Sequence, residues 1–118
     1  MNYSILIYEN TAGFALRTDP ELAPAYCAAW PAYTKTLQDA GIMVGGAGLE
    51  LPDTATTIRL QDGKRQVQDG PYADTKEQLG GFYIINVQNL DAALDWAARV
   101  PAAPGSVIEV RPTLQVPG

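Results

Sequence analysis

The chain has 118 residues, 47% of them hydrophobic and 18% charged, which suits one packed domain of residues 1–118 and excludes disordered and membrane-spanning classes. Eight Lys and Arg against 13 Asp and Glu give a net charge of −5 and a pI near 4.4; the cations are scattered, so direct nucleic-acid binding is not expected. A single cysteine, Cys27, precludes an intrachain disulfide, and the N-terminus lacks a basic region followed by an apolar run, so cytoplasmic residence is expected and no membrane role is.

Tyr3 to Glu9 reads as a first strand, with Tyr3, Ile5 and Ile7 on one face and Leu6 and Tyr8 on the other. Asn10 to Thr18 reads as a loop. Asp19 caps a predicted helix with Pro20 at its first position, and Leu22, Tyr26, Ala29, Trp30, Tyr33, Leu37 and Ala40 follow helical spacing up to Gly41. Pro31 removes a helical hydrogen bond and predicts a kink or restart there. Tyr26, Trp30 and Tyr33 form a stripe that reads as helix core, with Tyr33 the one to turn its hydroxyl to a cavity.

Ile42 to Leu51 is extended and glycine-rich; Gly45, Gly46 and Gly48 predict bulges or close backbone approach. Ala55–Gln61 and Lys64–Gln68 flank Asp62-Gly63, a two-residue hairpin signal. Asp69-Gly70-Pro71 predicts a reversal. Thr75-Lys76-Glu77-Gln78 then has capping-box spacing, which predicts a helical turn near 75–79 ended by a left-handed Gly80. Phe82 to Val87 is a strand apolar on both faces, Asn89 caps a helix from Leu90 to Val100 before Pro101, and Ser106 to Arg111 is the last strand. The core order β-α-β-β-α-β, with a hairpin inserted before the third core strand, is a ferredoxin-like α+β arrangement. Its two central strands are the ones apolar on both faces, yet helices cover only one face. A second copy packed sheet to sheet is the expected cover, so a homodimer is predicted.

The residues from Asp69-Gly70-Pro71-Tyr72 to Leu79-Gly80-Gly81-Phe82 resemble the DGPF motif of the YCII-related family, with Tyr72 where that motif has Phe. The likeness extends to Met1–Tyr8, Ala40–Leu49, Thr54–Arg59, Leu90–Ala98 and Gly105–Pro112. It implies a bacterial protein of the dimeric α+β barrel superfamily, which includes cofactor-independent monooxygenases and isomerases. Some family members are thought to pair a His with an Asp for acid–base work; this chain has no histidine, so that role does not carry over.

No other motif supplies chemistry. One cysteine, no histidine and dispersed acids assign no metal, and Gly45-Gly46-Ala47-Gly48 lacks the Lys-Ser/Thr of a phosphate loop, so no cofactor is expected. Cys27 has no basic neighbour in sequence and reads as an inert structural thiol. The ligand-binding candidates are Asp69, Tyr72 and Lys76 of the loop, Arg59, Glu109 and Arg111 of the strands, and Tyr8 and Tyr33 as proton donors. Each has a plain structural reading as well: Asp69 can bond the turn's N–H groups, Lys76 can be solvated, and Glu109 and Arg111 can form an edge or interface ion pair. Two functions fit. One is a binder of a small anionic or phenolic molecule, or a cofactor-independent enzyme, with a pocket in each protomer of the dimer. The other, suggested by DGPF-type proteins encoded beside sigma factors, is a noncatalytic regulatory or interaction module.

Overall fold

A computed structural model describes residues 1–115. Strands β1 (Asn2–Glu9), β2 (Met43–Gly48), β5 (Gln78–Asn86) and β6 (Val107–Pro112) form an antiparallel sheet in the order β2-β5-β1-β6. Helices α1 (Thr11–Ala15) and α2 (Ala23–Asp39) follow β1, and α3 (Leu90–Ala97) links β5 to β6; β3 (Thr56–Gln61) and β4 (Lys64–Asp69) make a separate two-stranded sheet. This is the ferredoxin-like order with the predicted inserted hairpin, and β1 and β5 are the central strands.

Strand parity builds the core. Tyr3, Ile5 and Ile7 stand opposite Ile85, Tyr83 and Gly81, and this face packs beneath Tyr33 and Leu37 of α2 and Ala93 and Ala97 of α3. The two helices are tied by the Tyr33 hydroxyl, which donates to the Trp96 carbonyl at 2.7 Å, while the Tyr33 and Tyr83 rings meet edge-on at 5.3 Å. The opposite parity places Leu6, Tyr8, Phe82 and Ile84 on the other face, which no helix among the described residues covers and where these side chains are only partly buried.

Several local expectations are met. Asn89 caps α3 by accepting from the Ala92 amide at 2.9 Å, Gly41 ends α2 with φ of 72°, and a register shift between Met43 and Gly45 bulges β2. Asp62 and Gly63 both have positive φ, 52° and 72°, as a type I′ hairpin turn requires.

Four expectations need correction. Residues 11–15 are a helix, not a loop, because Asn10 caps it by accepting from the Gly13 amide at 2.8 Å. Asp19 caps a turn instead of the long helix: its Oδ1 accepts from the Glu21 and Leu22 amides at 2.8 and 3.0 Å, and α2 starts at Ala23 with Pro24 in its first turn. The helix then continues through Pro31 without a restart, since packing of Tyr33 and Leu37 into the core offsets the one missing amide. Finally, no helical turn forms at 75–79. Thr75 donates to the Glu77 carbonyl and Gln78 to the Ala73 carbonyl, and Gly80 lies inside β5, not in a left-handed cap.

Candidate functional site

Glu9 occupies the last position of β1, on the same parity as Tyr3, Ile5 and Ile7, and is therefore carried under α2 with 1% of its surface exposed. A carboxylate buried this deeply is stable only with partners. Its Oε2 accepts from Arg17 Nη2 at 2.9 Å and its Oε1 from the Tyr26 hydroxyl at 2.5 Å. Arg17 lies just beyond α1, and its guanidinium also donates to the carbonyls of Leu49 and, at 3.2 Å, Gly80. One side chain thus clips together the end of β1, the segment after β2, and β5.

Gly80 makes the arrangement geometrically available. A β-carbon there would lie 1.9 Å from Glu9 Oε2, so only glycine leaves space for the carboxylate. Next to it, Gly81 allows β2 to approach, since its β-carbon would lie 3.0 Å from the Ala47 carbonyl oxygen. The Gly-Gly pair that follows the DGPF-like loop is the floor of a site whose acid comes from the first strand.

The cluster closes one end of a cavity of about 600 Å³ between α2 and the sheet, within the range of small-molecule sites. Ile7, Trp30, Leu49 and Tyr83 contribute its apolar walls. Thr34 and Tyr83 add a hydroxyl pair 2.8 Å apart. Burial, and then the hydrogen bond to Glu9, push the Tyr26 phenol well above the ordinary tyrosine range, so Tyr26 stays protonated and donates at physiological pH. Glu9 and Arg17 cancel in charge, and each carboxylate oxygen keeps lone-pair capacity beyond the bond it already accepts.

The structure distributes the sequence candidates over four places. Tyr8 and Tyr72 line a second groove, of about 460 Å³, between the sheet and the turn before β3, and Arg59 stacks on the Tyr72 ring at 5.1 Å. Asp69 and Lys76 are exposed and do not line that groove. Glu109 and Arg111 form an ion pair of 2.5 Å at the β6 edge, on the uncovered face opposite Leu6 and Ser4. Tyr33 is buried, and its hydroxyl is engaged by Trp96; within the aromatic stripe it is Tyr26 that reaches the cavity polar cluster. Glu9 and Arg17 were absent from the sequence-derived candidates. Strand parity was the available signal for Glu9, because an acid at an inward position needs a partner; Arg17, in a segment read as a loop, carried none. Cys27, exposed and also lining the cavity, is held there by α2.

The model of the YCII-related domain matches residues 1–116. The chain belongs to the YCII-related family. It is also 36% identical to an uncharacterised protein of Rhizobium meliloti (strain 1021), over all of this chain and 97% of that protein. Among the described residues of this YCII-related protein, no helix is long and apolar enough to cross a membrane, and no group of three or more His, Cys, Asp and Glu is placed to hold a metal ion.

Proposed function

We propose that this YCII-related protein binds a small organic molecule in the cavity between α2 and the sheet, and that it does so as a homodimer. The observation that carries the reading is the buried Glu9 carboxylate, fixed by Arg17 and Tyr26 at the end of an otherwise largely apolar cavity. Apolar walls with a few convergent polar groups are the usual composition of a ligand site. A pre-arranged acceptor beside a protonated phenol also suits cofactor-independent proton transfer.

The dimer is supported by shape. The chain measures 48 × 44 × 19 Å with a radius of gyration of 16.0 Å, against about 13.5 Å for a compact domain of this length. Leu6, Phe82 and Ile84 on the uncovered face, together with Ile58, Leu60 and Val67 exposed on the hairpin, offer a second copy both a sheet and an arm to pack against. The same exposed hairpin favours the second reading, an interaction module.

Two measurements test the proposal. Light scattering should give twice 12.6 kDa, falling to the monomer mass for Ile84→Lys. An NMR screen of one- and two-ring organic compounds should yield ligands that shift Ile7 and Trp30. A screen in which every compound leaves those residues unmoved favours the interaction module.

A further inference from the structure

A molecule in the cavity meets the two members of the ion pair unequally. The Glu9 side chain is 2% exposed and that of Arg17 24%, so the carboxylate is sealed behind its partners and the guanidinium is the charged group that a ligand can touch. Arg17 also has donors to spare. Its Nη1 donates to the Leu49 carbonyl and its Nη2 to Glu9 and the Gly80 carbonyl, which leaves two guanidinium N–H groups without an acceptor among the described residues. Further along α2, Trp30 brings an indole N–H and Gln38 a side-chain amide to the same lining. The cavity is therefore rich in donors, and a ligand has to supply the acceptor.

Charge decides which acceptor. Glu9 already matches the Arg17 charge across 2.9 Å, and no further Lys, Arg, Asp or Glu lines the cavity among the described residues. A ligand carboxylate would be a second anion on one cation, desolvated without a counter-ion of its own. A carbonyl oxygen takes a charge-assisted hydrogen bond from the guanidinium at a far smaller desolvation cost. The walls set the rest of the outline: the Tyr26 and Trp30 rings meet edge-on at 6.1 Å and 84°, and with Ile7, Leu49 and Tyr83 they suit a flat ring system. From these observations, and resting on the cavity reading above, we propose that the ligand is an uncharged aromatic ketone or amide whose carbonyl oxygen accepts from Arg17 while its ring packs against Trp30.

The test is an acceptor series on one ring system. 2-Acetonaphthone, 2-ethylnaphthalene and 2-naphthoate are titrated into the full chain at pH 7. NMR follows the Trp30 indole N–H, distinguished from Trp96 by a Trp96→Phe variant, as the reporter of the cavity, and the Arg17 Nε–H as the reporter of the contact. The ketone should shift both and bind at least about tenfold more tightly than the hydrocarbon, the ratio expected for one hydrogen bond to a charged donor, and more tightly than the carboxylate. If the hydrocarbon binds as well as the ketone, or the ketone shifts Trp30 and leaves Arg17 unmoved, the contact is refuted while the cavity remains a ligand site. If 2-naphthoate binds as well as the ketone, the preference for an uncharged acceptor is refuted. If no probe shifts Trp30, the cavity reading falls as well.

Two variants assign the contact. The double variant Glu9→Gln/Arg17→Met removes both charges together, so neither is left buried and unpaired, and the ketone should lose its advantage over the hydrocarbon to within about twofold; an advantage that persists in the folded double variant overturns the role given to Arg17. Glu9→Gln alone covers the case in which the double variant does not fold. It leaves the Arg17 charge unmatched, so 2-naphthoate should overtake the ketone, and an unchanged rank order shows that Arg17 does not meet the ligand.

Discussion

The Glu9 cluster and the β3–β4 hairpin belong to one chain and are built on opposite plans. The hairpin is local: a type I′ turn at Asp62-Gly63 sets its register, the Gly70 amide donates to the Ala55 carbonyl, and Thr57 donates to the Gly70 carbonyl. Its residues are almost all exposed, with Leu60 at 81%. The cluster gathers β1, the segment after α1, α2, the segment after β2, and β5 around one carboxylate, and each bond exists only once the sheet and helices are in place. A two-stranded hairpin is marginal by itself, whereas buried charge in a closed site is costly to disturb. The contrast implies that single changes cost much at the cluster and little at the hairpin.

The sharpest way to break that comparison is to remove one member of the ion pair at a time. Glu9 is 2% exposed in its side chain and Arg17 24%, so the arginine can turn to water and the acid cannot. Arg17→Met should cost about 3 kcal/mol and Glu9→Gln less, about 1–2 kcal/mol, because only the first strands an unpaired buried charge. Denaturant midpoints decide it, and equal losses would mean that water reaches Glu9.

The next test sets one glycine against another. Gly80→Ala should lose about 2–3 kcal/mol, since a new β-carbon collides with the carboxylate and pushes it from its seat. Gly63→Ala has open space around it but keeps a φ of 72°, and should lose only about 1 kcal/mol. A larger loss at Gly63 would reverse the ranking of the two regions.

The smallest effect is expected at alkaline pH. Burial, and secondarily Tyr83, push the Tyr33 phenol up to about 12, above an unfolded value near 10. The folded state holds that proton more tightly, so this contribution is intact below about pH 10 and is lost as pH rises toward about 12. Denaturation midpoints measured across that window should fall, and fall less steeply for Tyr33→Phe. The hairpin offers no comparable buried phenol, since Tyr72 beside it is 72% exposed.

What was legible in the sequence follows the same division. Strand parity, the Asn89 cap, the Asp62-Gly63 turn and the order of core elements are short-range signals, and they lead to the ferredoxin-like sheet. The capping-box pattern at Thr75–Gln78 misled because β5 begins at Gln78, and pairing with Glu9 at the end of β1 outweighs one turn's worth of capping. Tyr26 was placed on the correct helix stripe, but its partner could not be read from helical spacing. Arg17 was hidden for a related reason: its significance lies in carbonyls of Leu49 and Gly80, groups that no side-chain motif records.

The seat made by Gly80 carries a consequence for descent. The β-carbon that glycine lacks and the oxygen of Glu9 claim the same volume, so the two positions cannot drift independently. In any relative that keeps the acid at the end of its first strand, the fifth-strand position facing it should remain glycine. Where that glycine has been replaced, the acid should be found shortened or gone, and the arginine that answers it released to change as well.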